Sequence, residues 1–399
     1  MTEDVYLKKV ITLKHWRKTL RFEVSQDLFS SFRVDIGTRF LLNTLIESGS
    51  HPFRKVLDLG CGYGPVGLVL KSSAEYAAVH MVDRDALAGE FTRRNVILNG
   101  FSGVEVYGSL GYDDIAGSDF DLIVSNIPGK AGDSVITHFL RDACHFLKPG
   151  GLVAVVVVNA IVSLIEGILG STPGIEVVFR QSRSGHTVFH YRFSGEAAEY
   201  QNAFDRGVYK RGESDFTFDK MKYHMNMARG LPEFDSLHYR TELLLEGLRE
   251  FGQKGPANIA VYSPGQGHLP VVLWRTLQPE SITLIDRDLL ALRCSLANLI
   301  LNGCPDVSIS LLHRVGFTVD SGGKFDLVAG VLREEEGPAA IAQTIAGAAQ
   351  NLDLDGMLSV SGSSTAAARL TDLIKLEKRL EVIEKRKRRG YCLLVMKPA

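Results

Sequence analysis

The stretch Val56 to Gly67, VLDLGCGYGPVG, leaves this chain few choices of fold. Val56, Leu57 and Leu59 form a short apolar run, which predicts a parallel strand buried on both faces. The run carries an acid, Asp58, and then breaks into Gly60, Gly62 and Gly64. Glycines at that spacing let the backbone turn sharply and come close to a ligand. Gly67 then opens a helix through Leu68, Val69 and Leu70. Strand, glycine turn and helix in this order predict the nucleotide-binding start of an open α/β sheet.

Two ligand classes use such a turn. Gly62 to Gly67 formally matches GxGxxG, and Asp83 follows at about the 20-residue spacing of a ribose-binding acid. Asp58 argues against a dinucleotide, because a fixed carboxylate beside a pyrophosphate repels it. S-adenosylmethionine carries a sulfonium and an ammonium and no phosphate, so an acid at the turn attracts it. The pattern Asp58-Gly60-Gly62-Gly64 resembles the first motif of class I methyltransferases. Asp83, ending the strand in AVHMVDRD, then has two acceptor oxygens for the two ribose hydroxyls. An NAD oxidoreductase stays open as the formal alternative.

The second half repeats the first. Asn258 to Gly303 aligns on Lys55 to Gly100 without a gap, setting Gly265 and Gly267 on Gly62 and Gly64. Asp286-Arg287-Asp288 falls on Asp83-Arg84-Asp85, Asn298 on Asn95, and Ile300 to Gly303 on Ile97 to Gly100. HYRTELLL at 238–245 matches DIGTRFLL at 35–42, and KFDLVAGVL matches DFDLIVSNI. The fold expected is α/β, with two tandem Rossmann-like domains of about seven mostly parallel strands, residues 1–196 and 197–399. The copies differ in chemistry. Asp58 and Gly60 become Val261 and Ser263, and Asn126 and Pro128 become Val331 and Arg333. The second copy is therefore read as degenerate.

A reaction loop is expected after the strand Phe120 to Val124, in SNIPGK, since ligands bind at the carboxyl ends of parallel strands. An exocyclic amine conjugated to a ring is a poor nucleophile, so an enzyme must aim its lone pair. The Asn126 side-chain carbonyl and the Ile127 backbone carbonyl can accept its two N–H groups, while Pro128 stiffens the loop. Asp35 and Thr38 precede an amphipathic helix running to about Glu47 and read either as helix-start residues or as part of the site.

Over its whole length the chain resembles the tandem-domain rRNA guanine-N2 methyltransferases of the methyltransferase-small family. That resemblance implies S-adenosylmethionine as cofactor, held by Asp35, Thr38, Asp58, Gly60, Cys61, Gly62, Gly64, Asp83 and Arg84, with Asn126, Ile127 and Pro128 orienting the acceptor. The segment before the first strand would lid the cofactor pocket, and the second copy would dock substrate or support the fold. Two features depart from the family. Its loop usually reads Asn-Pro-Pro-aromatic, so Gly129 removes a stacking ring with a worth of roughly 1–3 kcal/mol per base. In the bacterial enzymes the degenerate copy comes first, whereas here it is second. Transfer to a protein glutamine or a tRNA adenine, and non-catalytic binding of S-adenosylmethionine or RNA, remain alternatives.

Composition narrows the partners. At 399 residues, 45% hydrophobic and net charge −1, nothing global marks a nucleic-acid binder. Two local basic runs read either as RNA contacts or as solvated faces: Lys8 to Arg21, on a short hairpin or helix, and Lys375 to Arg389, read as a last helix whose positive end also suits the helix dipole. The longest apolar run, Leu152 to Ala160, is too short to span a membrane. MTEDVYLKKV carries no signal-peptide pattern, so a cytoplasmic protein is expected. The five cysteines show no metal-ligand or disulfide spacing, so no metal is expected.

Overall fold

The structure is a computed structural model describing residues 4–15, 18–47, 53–195, 199–249, 255–319 and 323–399. Trp16 and Arg17 of the first basic run, and the expected domain boundary at 196/197, lie outside the described residues. The chain divides into two compact units, one spanning Leu7–Tyr209 and the other Lys210–Ala399 with the N-terminal segment ending at Tyr6.

In the first unit a hairpin of β1 (Lys9–His15) and β2 (Lys18–Val24) precedes α1 (Ile36–Glu47). There follow β3 (Lys55–Leu59), α2 (Pro65–Ser73), β4 (Ala78–Asp83), α3 (Ala86–Leu98), β5 (Val104–Gly108), β6 (Phe120–Asn126) and α4 (Asp133–Arg141). The unit closes with β7 (Leu147–Val158), α5 (Val162–Ser171), β8 (Ile175–Arg183) and β9 (His186–Phe193). The seven-stranded sheet has the order β5-β4-β3-β6-β7-β9-β8, and only β9 runs against the others. Continuous apolar runs supply its centre, as Val153, Ala154, Val155, Val156 and Val157 are each at most 1% exposed. This is the two-sided burial that a parallel sheet covered by helices requires.

The chain stays on this unit past residue 196 because Asp113 and Asp142 hold it. Asp113 accepts from the Tyr200 hydroxyl at 2.6 Å and from the Ala203 and Phe204 N–H groups at 2.6 and 3.1 Å. Asp142 pairs with Arg206 and with His138, whose Nδ1 lies 2.7 Å away.

The second unit repeats the plan. It holds the hairpin β10 (Lys210–Phe218) and β11 (Met221–Ala228), then α6 (Tyr239–Leu248), β12 (Asn258–Tyr262), α7 (His268–Leu277), β13 (Ser281–Asp286) and α8 (Leu289–Leu301). After these come β14 (Ile309–His313), β15 (Phe325–Val331), α9 (Pro338–Gln350), β16 (Leu352–Ser363), α10 (Ser364–Glu377), β17 (Leu380–Arg388) and β18 (Tyr391–Pro398). Its sheet order, β14-β13-β12-β15-β16-β18-β17, is the same seven-strand arrangement. The basic run at 385–389 is not on a helix, as its sequence suggested. It lies on the edge strand β17 and the turn at Arg389, and the helix ends before it with Lys378 in the left-handed region at φ 55°. Leu380 and Val382 alternate with charged residues at the strand period, and lysines on an edge discourage further pairing.

The repeated asparagines prove to be clamps. Asn95 on α3 accepts from the Glu23 N–H at 2.7 Å and donates to the carbonyls of Glu23 and Tyr63 at 3.0 and 2.9 Å. Asn298 on α8 makes the same set, with the Asn226 N–H at 2.8 Å and the carbonyls of Asn226 and Gln266 at 2.9 and 2.8 Å. Each fastens its unit's leading hairpin to the helix and the glycine turn. A buried amide is retained where all its hydrogen-bonding groups find partners.

Among the described residues no helix is long and apolar enough to cross a membrane. No group of three or more His, Cys, Asp or Glu residues there could hold a metal ion, and the five cysteines are free thiols.

Candidate functional site

Strand order reverses between β3 and β6: β4 and β5 continue to one side and β7 to the other. The loops leaving the two central strands diverge there and open a crevice. Into it come the glycine turn after β3, the end of β4, the start of α1 and the loop after β6.

Gly60, Gly62 and Gly64 have φ of 74°, 59° and 92°, the left-handed region that side chains disfavour. A Cβ on Gly60 or Gly62 would meet nothing within 4 Å, so these two give the turn its path and leave open space beside it. A Cβ on Gly64 would come within 2.9 Å of Met81, and one on Gly67 within 2.7 Å, so those two allow α2 to pack against β4. The N–H groups of Gly60 and Cys61 both donate to the Val82 carbonyl at 2.9 Å. That of Gly62 donates to Asp83 Oδ2, also at 2.9 Å. Asp83 Oδ1 accepts from the Asp85 N–H at 3.0 Å, which fixes the carboxylate at the mouth of the turn. A carboxylate oxygen can accept more than one hydrogen bond, which is the property that binding two ribose hydroxyls calls on.

The Asp58 carboxylate is engaged with the helix that follows the turn. It is 1% exposed, and its Oδ2 accepts from the Gly67 N–H at 2.8 Å. Burial pushes its carboxyl up to about 7, the Gly67 N–H opposes that shift, and Asp83 adds to it. Asp58 thus ties the strand to the first turn of α2. Cys61 is likewise buried, 3.7 Å from the Thr92 hydroxyl, and burial raises its thiol well above the ordinary range. Its backbone belongs to the turn and its side chain to the packing against α3. Arg84 follows Asp83 at the end of β4, partly buried.

At the other wall, residues far apart in sequence meet. Asn126 Nδ2 lies 3.3 Å from Asp35 Oδ2 and 3.1 Å from Thr38 Oγ1, and the Thr38 N–H donates to Asp35 Oδ2 at 3.2 Å. Thr38 lies inside the first turn of α1 rather than ahead of it. The amide nitrogen of Asn126 is thereby occupied, and its Oδ1 is left to accept. Ile127 continues the strand by donating to the Val156 carbonyl at 3.0 Å, and Pro128 accepts from the Ala131 N–H at 3.0 Å in a closing turn. Val158 lines this loop, 3.1 Å from where a Cβ on Gly129 would stand.

Two site residues were not legible in the sequence. Tyr63, inside the glycine run and 2% exposed, reaches the Ser30 carbonyl in a long contact of 3.5 Å and bolts the turn to the loop before α1. Its position between glycines was the available signal. His186 packs so close to Gly37 that a Cβ there would fall 2.7 Å from its ring and 2.9 Å from Asp35 Oδ2. Nothing local connects residues 37 and 186.

An open space beside Gly60 and Gly62, with a carboxylate fixed at its mouth, suits a ligand that brings a ribose and positive charge. A sheet of this order with that turn at its switch point defines a Rossmann-like methyltransferase domain, and the chain contains two such sheets. The chain belongs to the methyltransferase small domain family, whose profile matches residues 19–178, within the first unit. It is similar to YbxB of Bacillus subtilis, an uncharacterised protein, at 31% identity over 145 residues, covering 35% of this chain and 69% of that one. It is 36% identical over 156 residues to the ribosomal RNA small subunit methyltransferase C of Haemophilus influenzae, covering 36% of this chain. The chain spans about half the length of that protein and of its Hahella chejuensis counterpart, 46% and 48% respectively. The fold over 98% of both chains matches a 16S rRNA N2 methyltransferase of T. thermophilus, solved with AdoMet and guanosine, at a TM-score of 0.67 and 17% identity.

Proposed function

We propose that this protein is an S-adenosylmethionine-dependent N-methyltransferase acting on an exocyclic amine of an RNA base, guanine N2 of ribosomal RNA, in the first unit. The observation that carries this reading is the convergence of Asp35, Thr38 and Asn126 beside the glycine turn. A free asparagine amide can flip, but here the Nδ2 side is committed to Asp35 and Thr38. Asn126 Oδ1 therefore faces an incoming amine as an acceptor only. One N–H of the amine is held by Oδ1 and the other by the Ile127 carbonyl, so the nitrogen lone pair is directed out of the plane of its two hydrogens. Pro128 limits the loop's freedom, which keeps both acceptors in register. S-adenosylmethionine supplies, when bound, a methyl group on a sulfonium. For this chain the open side of Gly60 and Gly62 and the Asp83 carboxylate would hold it, with Asp58 bracing the turn from beneath. Relatives named for ribosomal RNA methylation and a fold match to an N2 methyltransferase support the choice of acceptor.

The second unit, on this reading, performs no transfer and serves docking or stability. The cytoplasm, where ribosomal RNA is found, is the location that goes with it. The test is incubation with labelled S-adenosylmethionine and separate small-subunit RNA and ribosomal protein fractions, followed by nucleoside digestion. Label in N2-methylguanosine is expected. Label on a protein glutamine, or on no macromolecule, overturns the reading.

A further inference from the structure

The segment from Ser25 to Val34 bridges the two walls of the site. Its middle is fastened to the glycine turn through Ser30 and Tyr63, and the Asp35 that follows it meets Asn126. Leu28, Ser31 and Val34 are buried at 7%, 5% and 2% exposure, so the segment is anchored along its length. Between these anchors two rings point outward: Phe29 is 73% exposed and Phe32 71%. Ser30, between them, has φ 60°, an uncommon conformation for a residue with a side chain. Burial does not account for either ring.

Phe32 has company. The Lys8 ammonium sits 3.6 Å from its ring centroid and that of Lys9 4.8 Å, and Lys8 also reaches the Ser31 hydroxyl at 3.3 Å. Arg33 beside it is exposed. An exposed ring among cations combines the two elements by which single-stranded nucleic acid is bound, a stacking surface and charge for the backbone. A peptide partner would make no comparable use of lysines gathered on an aromatic face. The step from Phe32 to Asp35 spans at most roughly 11 Å of chain, about the size of a nucleotide.

Resting on the function proposed above, we propose that Phe32, with Lys8 and Lys9, is the platform on which an unpaired RNA base stacks as it enters the site. It takes the place of the ring that the loop after Asn126 lacks at Gly129. The target strand then lies with a base on Phe32 and its phosphates against Lys8 and Lys9, which limits the amine's approach to Asn126.

The full-length chain is titrated with a fluorescein-labelled, unpaired, guanine-containing RNA decamer, alongside F32A, F32W and the double variant K8Q/K9Q. F32A is expected to weaken RNA binding about tenfold, the loss of one stacked base. It should raise KM for RNA far more than it lowers kcat, and leave S-adenosylmethionine affinity and melting temperature unchanged. F32W should restore binding, and K8Q/K9Q should flatten the salt dependence of the RNA Kd. If F32A binds and methylates RNA like the parent, the platform is overturned and the RNA assignment stands. If the parent neither binds the decamer nor labels RNA, or if F32A impairs labelling of a protein instead, both fall.

Discussion

The two glycine turns have nearly the same backbone and opposite electrostatics. Gly60, Gly62 and Gly64 at φ 74°, 59° and 92° correspond to Ser263, Gly265 and Gly267 at 54°, 57° and 102°. Thr92 donates to the Gly62 carbonyl at 2.7 Å, and Ser295 to that of Gly265 at 3.1 Å. The first turn keeps Asp83 on backbone N–H groups. In the second, Arg333 stands where Pro128 would be and pairs with Asp286, its Nε donating to Ser263 Oγ at 2.9 Å. Burial opposes the guanidinium's charge, but the Asp286 and Glu336 carboxylates around it raise it above its ordinary value. The second copy thus carries an internal cation against the acid that faces the turn in the first. A further exchange is paired: Asp58 with the Gly67 N–H has become Val261 with Pro270, which has no N–H to satisfy. Losing the acid therefore left no orphaned donor. The lesson is that the same turn backbone packs around an acid held by backbone N–H groups in one copy and around an internal ion pair in the other.

The contrast breaks most visibly in turnover. Asn126→Ala should lower the single-turnover rate by roughly 100-fold or more, since misplacement of this order costs that much, while cofactor and RNA still bind. Arg333→Ala should leave the rate unchanged at saturating RNA. An equal loss in both variants would assign chemistry to the second unit as well.

Cofactor stoichiometry sharpens it next. Calorimetry should find one S-adenosylmethionine site per chain, weakened about tenfold or more by Asp83→Ala, which removes a charged acceptor. The corresponding change at Asp286 should leave that site untouched. Two equivalent sites would mean that Arg333 does not close the second turn.

The smallest effect concerns pH. With its carboxyl raised from 3.8 to about 7, folded Asp58 holds a proton over an interval in which the unfolded chain does not. Its contribution to stability is present in full below the lower value and is lost as pH rises through the upper one, amounting to at most a few kcal/mol. Asp58→Asn keeps an acceptor for the Gly67 N–H and should flatten that part of the first unit's melting profile. Val261 carries no carboxyl at the matching position, and the raised carboxyl of the second unit is instead Asp286, lifted by burial. A profile identical in parent and variant would place the Asp58 carboxyl near its ordinary value.

The repeat, the strand-turn-helix start and the succession of strands were legible in sequence because local rules govern them. Buried strands must be apolar, left-handed turns favour glycine, and aligned asparagines marked a shared structure before their role as hairpin clamps was visible. One local reading failed for a local reason: the run at 385–389 has charge but no helical period. Sequence also gives no direction to a side chain, so the hydrogen bond from the Gly67 N–H to Asp58 was not legible in the motif. What only the tertiary structure decided lies between segments. Asp35, Thr38 and Asn126 come together because α1 packs across β7 and β9, and β7 pairs with β6, while His186 reaches Gly37 because β9 pairs antiparallel with β7 under the same helix. Arg333 pairs with Asp286 across the reversal of strand order in the second sheet, where β15 lies beside β12. Sequence determines which strands and turns exist, since those depend on neighbours along the chain. Which side chains face one another across the crevice depends on strand order, and strand order is settled only when the whole sheet assembles.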